Sequence, residues 1–571
     1  MPAPRSKRAA PDNGKNTNGP SGDRQVQETK TPSSKTIQSA CIAASMLIIA
    51  AAYSSLSQIT LSPVYGAVPS GIFHRRGMMA AALCGWLGKN QLKRLTSGNA
   101  VYFLPVFAFY IPTIQYFLFQ HSEWLGSPYG PLVTEILTYY PLLALSVHSA
   151  ATLLEDADFG LGEKFAEHAP FFGSYAIFNA AEKVLSTLIP QHIGTNIFLS
   201  SASLQALAAA LYTAAFPSKW ISLALPSLLF SAMYNVHVPL PGTTAALNSA
   251  LEPFGYALID RQDSLTGHIS VLDNLKDEFR VMRCDHSLLG GEWLISEKRR
   301  QKVKEPIYAI FTMLEAVRLI EGEDKSKTRV DTDSNALVIG LGIGTTPAAF
   351  VAHGIDTTIV ELDPVVYKFA REYFTLPSNH TSVVEDAVTF VDRTRKGDTR
   401  YDYIVHDVFT GGAEPVDLFT FEFLGGLNAL LKDDGVIAIN YAGDLLTPSA
   451  GLIVRTIKSI FPSCRVFRED EPKPDPGERD FTNMVIFCKK AKSPLTFRRP
   501  VEADYLQSRA RQIFLEPQHE IPPETFALKE NEQKILKEGE TANLRSWQTQ
   551  SAIGHWKIMR TVIPPGVWEN Y

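Results

Sequence analysis

The chain has 571 residues, a formal net charge of −5, five cysteines and thirteen histidines. That length holds several domains, and a mildly acidic balance gives nucleic acid no electrostatic reason to bind. Cys41, Cys84, Cys284, Cys464 and Cys488 lie far apart without a CxxC pair, and no HxxxH or HxH occurs, so neither a disulfide framework nor a metal centre is expected.

Residues 1–35 are rich in Pro, Ser, Asn, Gly and Lys, with seven Lys and Arg against three acids. They have nothing to bury and read as a disordered basic tail. From 36 to 240 the chain turns apolar and poor in charge. Long apolar runs begin at Thr36, Ala100, Tyr129, Ala169, Ile193 and Lys219, with a shorter one at Gly77. A helix of about 20 such residues spans a bilayer, so the sequence predicts a multi-pass α-helical membrane domain of six or seven helices. Glu182 and Lys183 fall inside one run and, being adjacent, point to different faces. The positive-inside rule keeps the tail cytosolic. Six crossings then place the remainder in the cytosol, which nucleotide chemistry favours, and seven place it outside.

The pattern changes near Gly255. "HISVLD" and "FRVMRCD" are short β-type runs separated by polar turns, and 255–300 reads as a small antiparallel β-domain. A helix follows from Pro306. After a charged linker come "NALVIG" (335–340), "DTTIVELD" (356–363), "TSVVED" (381–386), "YDYIVHD" (401–407) and "GVIAINYA" (435–442), with helices between them. Alternating strands and helices imply a doubly wound parallel sheet, so 301–490 is predicted to be a Rossmann-like α/β domain of the class I methyltransferase or spermidine synthase-like kind. Such sheets bind ligands beyond the carboxyl ends of their strands. Residues 491–571 carry Trp547, Trp556 and Trp568 and read as an extension docked on the body, with His555 as a packing residue.

The strand ends hold the candidate site. Gly340, Gly342 and Gly344 let the backbone approach a ligand. Glu361, 21 residues after Gly340, closes the second strand, where an acid can accept from both ribose hydroxyls. Asp386 closes the third strand, placed for an adenine amino group, and Asp407 closes the fourth. Thr345 and Thr346 stand where a dinucleotide loop would place its third glycine, so an adenosyl sulfonium fits this pattern better than NAD.

In this order of motifs ("TGHISVLD", "TMLEAVRLI", "VIGLGIGT", "VELDP", "VVEDA", "YDYIVHDVF", "LLKDDGVIAIN") the chain from about Gly255 to Lys490 resembles the spermidine and spermine synthases, which include membrane-fused relatives. The resemblance implies an aminopropyltransferase fold, decarboxylated S-adenosylmethionine as donor, Asp407 as the catalytic acid–base group, and polyamine metabolism as the setting. The departures lie on the amine side. Ile343 stands where the family's loop has an acid for the donor's amino group, and Thr410 stands where a second substrate acid belongs. "IFT" (Ile310 to Thr312) replaces a Tyr-x-Glu pair. Glu414 and Asp417, in the following loop, are candidate replacements. With the Ile343 anchor gone, S-adenosylmethionine is as suitable a donor as its decarboxylated form.

The expected function is therefore a membrane-tethered transferase, a candidate homodimer, that alkylates a small-molecule amine or hydroxyl acceptor without a metal. Its alternatives are an S-adenosylmethionine-dependent methyltransferase and an inactive membrane sensor or scaffold.

Overall fold

The computed structural model describes residues 33–96, 98–155, 157, 168–294, 303–323, 329–408, 415–472, 479–530 and 532–571. Most of the predicted tail lies outside them.

The N-terminal half is helical. Its first helix, Ser34–Tyr65, starts on Ser33, whose hydroxyl accepts from the Thr36 amide, an N-cap that satisfies one otherwise unpaired donor. Helices Tyr139–Leu154, Ala169–His192 and Ser201–Ala215 pack directly against it. Polar groups face inward. Gln205 donates to Gln115 at 3.0 Å, Gln115 donates to Thr60 at 3.0 Å, and the buried Glu135 carboxylate accepts from Ser57 at 2.8 Å and Tyr140 at 2.7 Å and pairs with His74 at 2.6 Å. Phe172, Tyr175, Leu188, Leu211 and Leu228 face outward and are exposed. These polar groups lie within an apolar core that includes Met46, Leu47, Leu104, Leu142 and Leu143, while large apolar side chains also stand on the outside.

The count of spans differs from the sequence reading. Among the described residues two helices are long and apolar enough to cross a membrane, Ser34–Tyr65 and Ala100–Phe119, and a third is reached if the bent pair Tyr129–Leu137 and Tyr139–Leu154 is one span. The reasons are local. Ala169–His192 has the length, but Asn179, Glu182 and Lys183 interrupt it. Ser201–Ala215 is 15 residues long, and the Lys219 run divides into a tight turn, Lys219–Ala224, and a helix, Leu225–Met233. The Gly77 run forms a helix of 14 residues, His74–Leu87.

The C-terminal half contains two sheets. Strands β1 (Tyr256–Ser264), β2 (Gly267–Asn274), β3 (Phe279–Cys284), β4 (Ser287–Trp293) and β5 (Glu305–Pro306) form an antiparallel sheet in chain order. The larger sheet comprises β6 (Asn335–Ile339), β7 (Asp356–Glu361), β8 (Thr381–Val384), β9 (Tyr401–His406), β10 (Leu431–Asp444), β11 (Ser463–Arg468), β12 (Phe481–Lys489) and β13 (His519–Glu520). Its order is β13-β11-β12-β10-β9-β6-β7-β8. The first five of these strands are parallel. Chain order reverses at β6, with β7 on one side and β9 on the other, which opens a crevice at their carboxyl ends. Strand β6 is buried along 336–339, as a central parallel strand must be. The helix after β7, Pro364–Tyr373, starts where Asp363 accepts from the Val365 amide at 2.8 Å, with a proline at its first position.

Contrary to the reading of scattered cysteines, Cys464 and Cys488 form a disulfide. They are 24 residues apart in sequence but directly opposite on antiparallel β11 and β12.

The extension closes back on both halves. Trp568 is fully buried, Trp556 nearly so, and the Trp556 indole donates to the Val64 carbonyl of the first helix at 3.0 Å.

Candidate active site

A cavity of about 1210 Å³ lies beyond the carboxyl ends of the parallel strands. Gly340 and Gly342, Glu361, Asp386 and Asp407 all line it. Both glycines have positive φ, 84° and 54°. A side chain at Gly340 would strike the Asp407 carbonyl, and one at Gly342 the Leu289 carbonyl, so the loop must be bare. Gly344 does not line the cavity. It caps the helix Thr345–Ala352 with φ 87°.

The Glu361 carboxylate accepts from the Leu341 amide at 2.9 Å and the Asp363 amide at 2.8 Å. A carboxylate has about four lone-pair sites, so two remain for a ribose. Burial pushes its pKa up to about 7, against the pull of those amides. Asp386 caps the helix Ala387–Thr394, one oxygen accepting from the Thr389 amide at 2.9 Å and hydroxyl at 3.0 Å. That structural duty leaves its other oxygen for the cavity. Asp407 follows β9 and is anchored by its amide, which donates to the Ile339 carbonyl at 2.8 Å. Its Oδ1 accepts from Asn440 Nδ2 at 2.8 Å. Burial raises its pKa to about 6, and the Asn440 contact opposes the rise.

Ile343 is not merely an absent anchor. Its side chain is buried in an apolar cluster with Ile269, Met282 and Cys284 and packs over Gly290. The loop is thereby fastened to the small sheet. Thr410 and Glu414 lie outside the described residues. Asp417 lines the cavity, largely exposed, 3.8 Å from Arg545. Ile310 and Phe311 line it too, whereas Thr312 is buried beside it.

Sequence reasoning missed four residues in this wall: Tyr308, Asn440, Asn483 and His555. The Tyr308 hydroxyl is buried without a hydrogen-bond partner. Asn483 donates to Glu469 at 2.6 Å. His555 is not only a packing residue: it faces the cavity, lies 3.2 Å from the Ser287 hydroxyl, and is kept neutral by burial, which lowers its pKa to about 4. Asn440 carried no such signal: it lies inside β10, just past the last residue paired with β9, and not at a strand end as Glu361 does.

Residues 326–467 match the spermine/spermidine synthase domain. A polyamine aminopropyltransferase of Vibrio vulnificus is 37% identical over 108 residues, 18% of this chain and 36% of that protein. The spermidine synthase of Thermotoga maritima, a solved structure, is 20% identical over 41% of this chain and 74% of its own, with a TM-score of 0.30. A much longer match is the N-terminal histidine N-methyltransferase of Emericella nidulans. It is 53% identical over 548 residues, 93% of this chain and 97% of that protein. The chain belongs to that methyltransferase's family. It is a transferase whose spermidine synthase-like domain forms the C-terminal part of a longer architecture shared with that relative.

Proposed function

We propose that this enzyme methylates a nitrogen of the N-terminal histidine of a polypeptide, with S-adenosylmethionine as the donor. The observation that carries the proposal is the 53% identity to the histidine methyltransferase along nearly the whole of both chains. It supports methyl transfer over the aminopropyl transfer that the spermidine synthase resemblance implies, and a polypeptide acceptor over a small amine. The site's chemistry agrees. Glu361, the bare glycine loop and Asp386 suit an adenosine, while the position that would hold a polyamine donor's amine is the buried Ile343.

The donor supplies a methyl group already activated on sulfur, and transfer leaves the bonding electron pair on that sulfur. The protein must align the nitrogen's free lone pair and receive the proton that the resulting cation sheds. Asp407 is placed for this, and a carboxylate raised to about 6 is a better base near neutral pH than an ordinary one. Incubating the purified full-length protein with S-adenosylmethionine and peptides beginning with His or Ala tests the reading. One methyl on the His peptide alone is expected. Methylation of putrescine instead, or of neither peptide, overturns it.

We also infer that the helical half is embedded in a membrane, with the catalytic half in an oxidising compartment. Inward polar groups and outward apolar side chains suit lipid. Disulfides persist mainly outside the cytosol, so the Cys464–Cys488 bond favours the far side over the cytosolic placement expected from nucleotide chemistry. An odd number of crossings meets that requirement, such as the three reached if the bent pair Tyr129–Leu137 and Tyr139–Leu154 is one span. The sequon at Asn379, exposed before β8, reports the side: glycosylation that disappears in Asn379→Gln supports the reading, and free cysteines at 464 and 488 in protein from cells defeat it.

A further inference from the structure

Asn440 lies within β10, one position beyond Ile439–His406, the last pair that β10 makes with β9, and so stands beside Asp407. Its NH2 donates to Asp407 Oδ1 at 2.8 Å. That contact fixes the amide. With the group reversed, two oxygens would face each other, and an amide oxygen cannot donate. The carbonyl oxygen is consequently turned away from the carboxylate, where it is buried and has no hydrogen-bond partner. Buried acceptors without donors are uncommon and costly. Here the orphan lies in the wall of the cavity that holds Asp407.

Its place identifies what would fill it. The nucleoside features, Glu361 and Asp386, sit at the ends of β7 and β8, on the far side of β6. Asn440 is on the other side of Asp407, toward Asn483 and Tyr308. The missing donor therefore belongs to the acceptor. Asn483 does not supply it, since its NH2 points to Glu469 at 2.6 Å.

We propose that Asn440 is a positioning residue that recognises the free amino terminus of the acceptor, its carbonyl oxygen accepting a hydrogen bond from the α-ammonium group while its NH2 holds Asp407 in place. The proposal rests on the histidine-peptide reading above. An α-ammonium has three N–H donors and no acceptor, so it satisfies the orphan oxygen and tolerates the neighbouring carboxylate. An acetylated terminus has lost the charge and two of those donors, and an internal histidine has no terminus to offer. A neutral amide also distinguishes this wall from one built for a diamine, which would need a second acid.

The test uses the full-length protein in lipid nanodiscs, with His-initiated peptides bearing free or acetylated termini. The wild type should favour the free peptide through KM. Asn440→Leu, similar in volume and unable to accept, should raise KM for the free peptide about tenfold or more, the value of a hydrogen bond to a charged group. It should leave KM for the acetylated peptide nearly unchanged, so that the preference collapses. S-adenosylmethionine affinity by calorimetry should stay within a few-fold and verifies that the variant is folded. Asn440→Asp should retain the preference while moving the acid limb of the pH–rate profile upward, because a second carboxylate beside Asp407 disfavours its ionised form. An undiminished preference in Asn440→Leu, or its loss in Asn440→Asp, overturns the assignment. If the wild type methylates neither peptide, the underlying histidine reading fails first and the assignment falls with it.

Discussion

The two ends of the cavity are built from different materials. The end proposed for the donor uses a bare glycine loop and acids at or just after the ends of parallel strands, each held by backbone amides: Glu361 by Leu341 and Asp363, Asp386 by the turn it caps. The end proposed for the acceptor uses Asn440, Asn483, Tyr308 and His555, gathered from β10, β12, the segment before a short helix and the distant helix Ala542–Val562. A ligand common to many enzymes is met by short-range chain geometry. A particular acceptor is met by long-range assembly. Asp407 stands at the boundary between them.

The boundary gives the largest expected effect. Asp407→Asn should lower kcat by about 10²–10⁴-fold, the usual worth of a positioned general base, with donor affinity within a few-fold by calorimetry. If donor affinity falls as steeply as kcat, Asp407 belongs to the donor end and the division between the two is wrong. Glu361→Ala sharpens the comparison from the other side. It should weaken S-adenosylmethionine by about 1–3 kcal/mol, the cost of leaving polar groups unpaired, while leaving KM for the peptide close to that of the wild type. Equal losses for both ligands would mean that the ends are not separable.

The smallest effect is in pH. Burial holds Asp407 at about 6 and Glu361 at about 7, both above an ordinary carboxyl. Between about pH 4 and those values the folded protein keeps protons that the unfolded chain has lost. Their contribution to stability is thus complete below about pH 4 and is lost as pH rises through 6 and 7. The melting temperature of the donor-free protein should decline modestly over that range and flatten in Glu361→Gln. Activity should move oppositely, rising as Asp407 ionises.

The same contrast explains what the sequence disclosed. The parallel sheet was legible because "NALVIG", "DTTIVELD" and "YDYIVHD" are apolar strands ending at glycine or acid, a signal contained within each segment. Asn440 was not, because an amide inside "GVIAINYA" looks like any other strand residue until Asp407 is seen beside it. Ile343 read as a lost ligand because spacing cannot tell which way a loop side chain turns, and here it turns into the small sheet. The Cys464–Cys488 bond depends on the register of β11 and β12, not on any motif. The span count differed where the helical run from Lys219 ends at Met233, too short to span, and where polar residues interrupt Ala169–His192.

The helix Ala542–Val562 carries a consequence for the enzyme as a machine. His555 and Met559, one turn apart, face the cavity. The next stripe around the helix, Trp556 and Arg560, is fastened to the N-terminal half, Trp556 to the Val64 carbonyl at 3.0 Å and Arg560 to the Ser122 hydroxyl at 2.6 Å. One helix thus has one flank on the cavity and the next on the N-terminal half. The cavity takes part of its wall from a helix that is itself fastened to the helical half. A C-terminal half cut free of the helical half would lose both anchors of that wall, the Val64 carbonyl and the Ser122 hydroxyl.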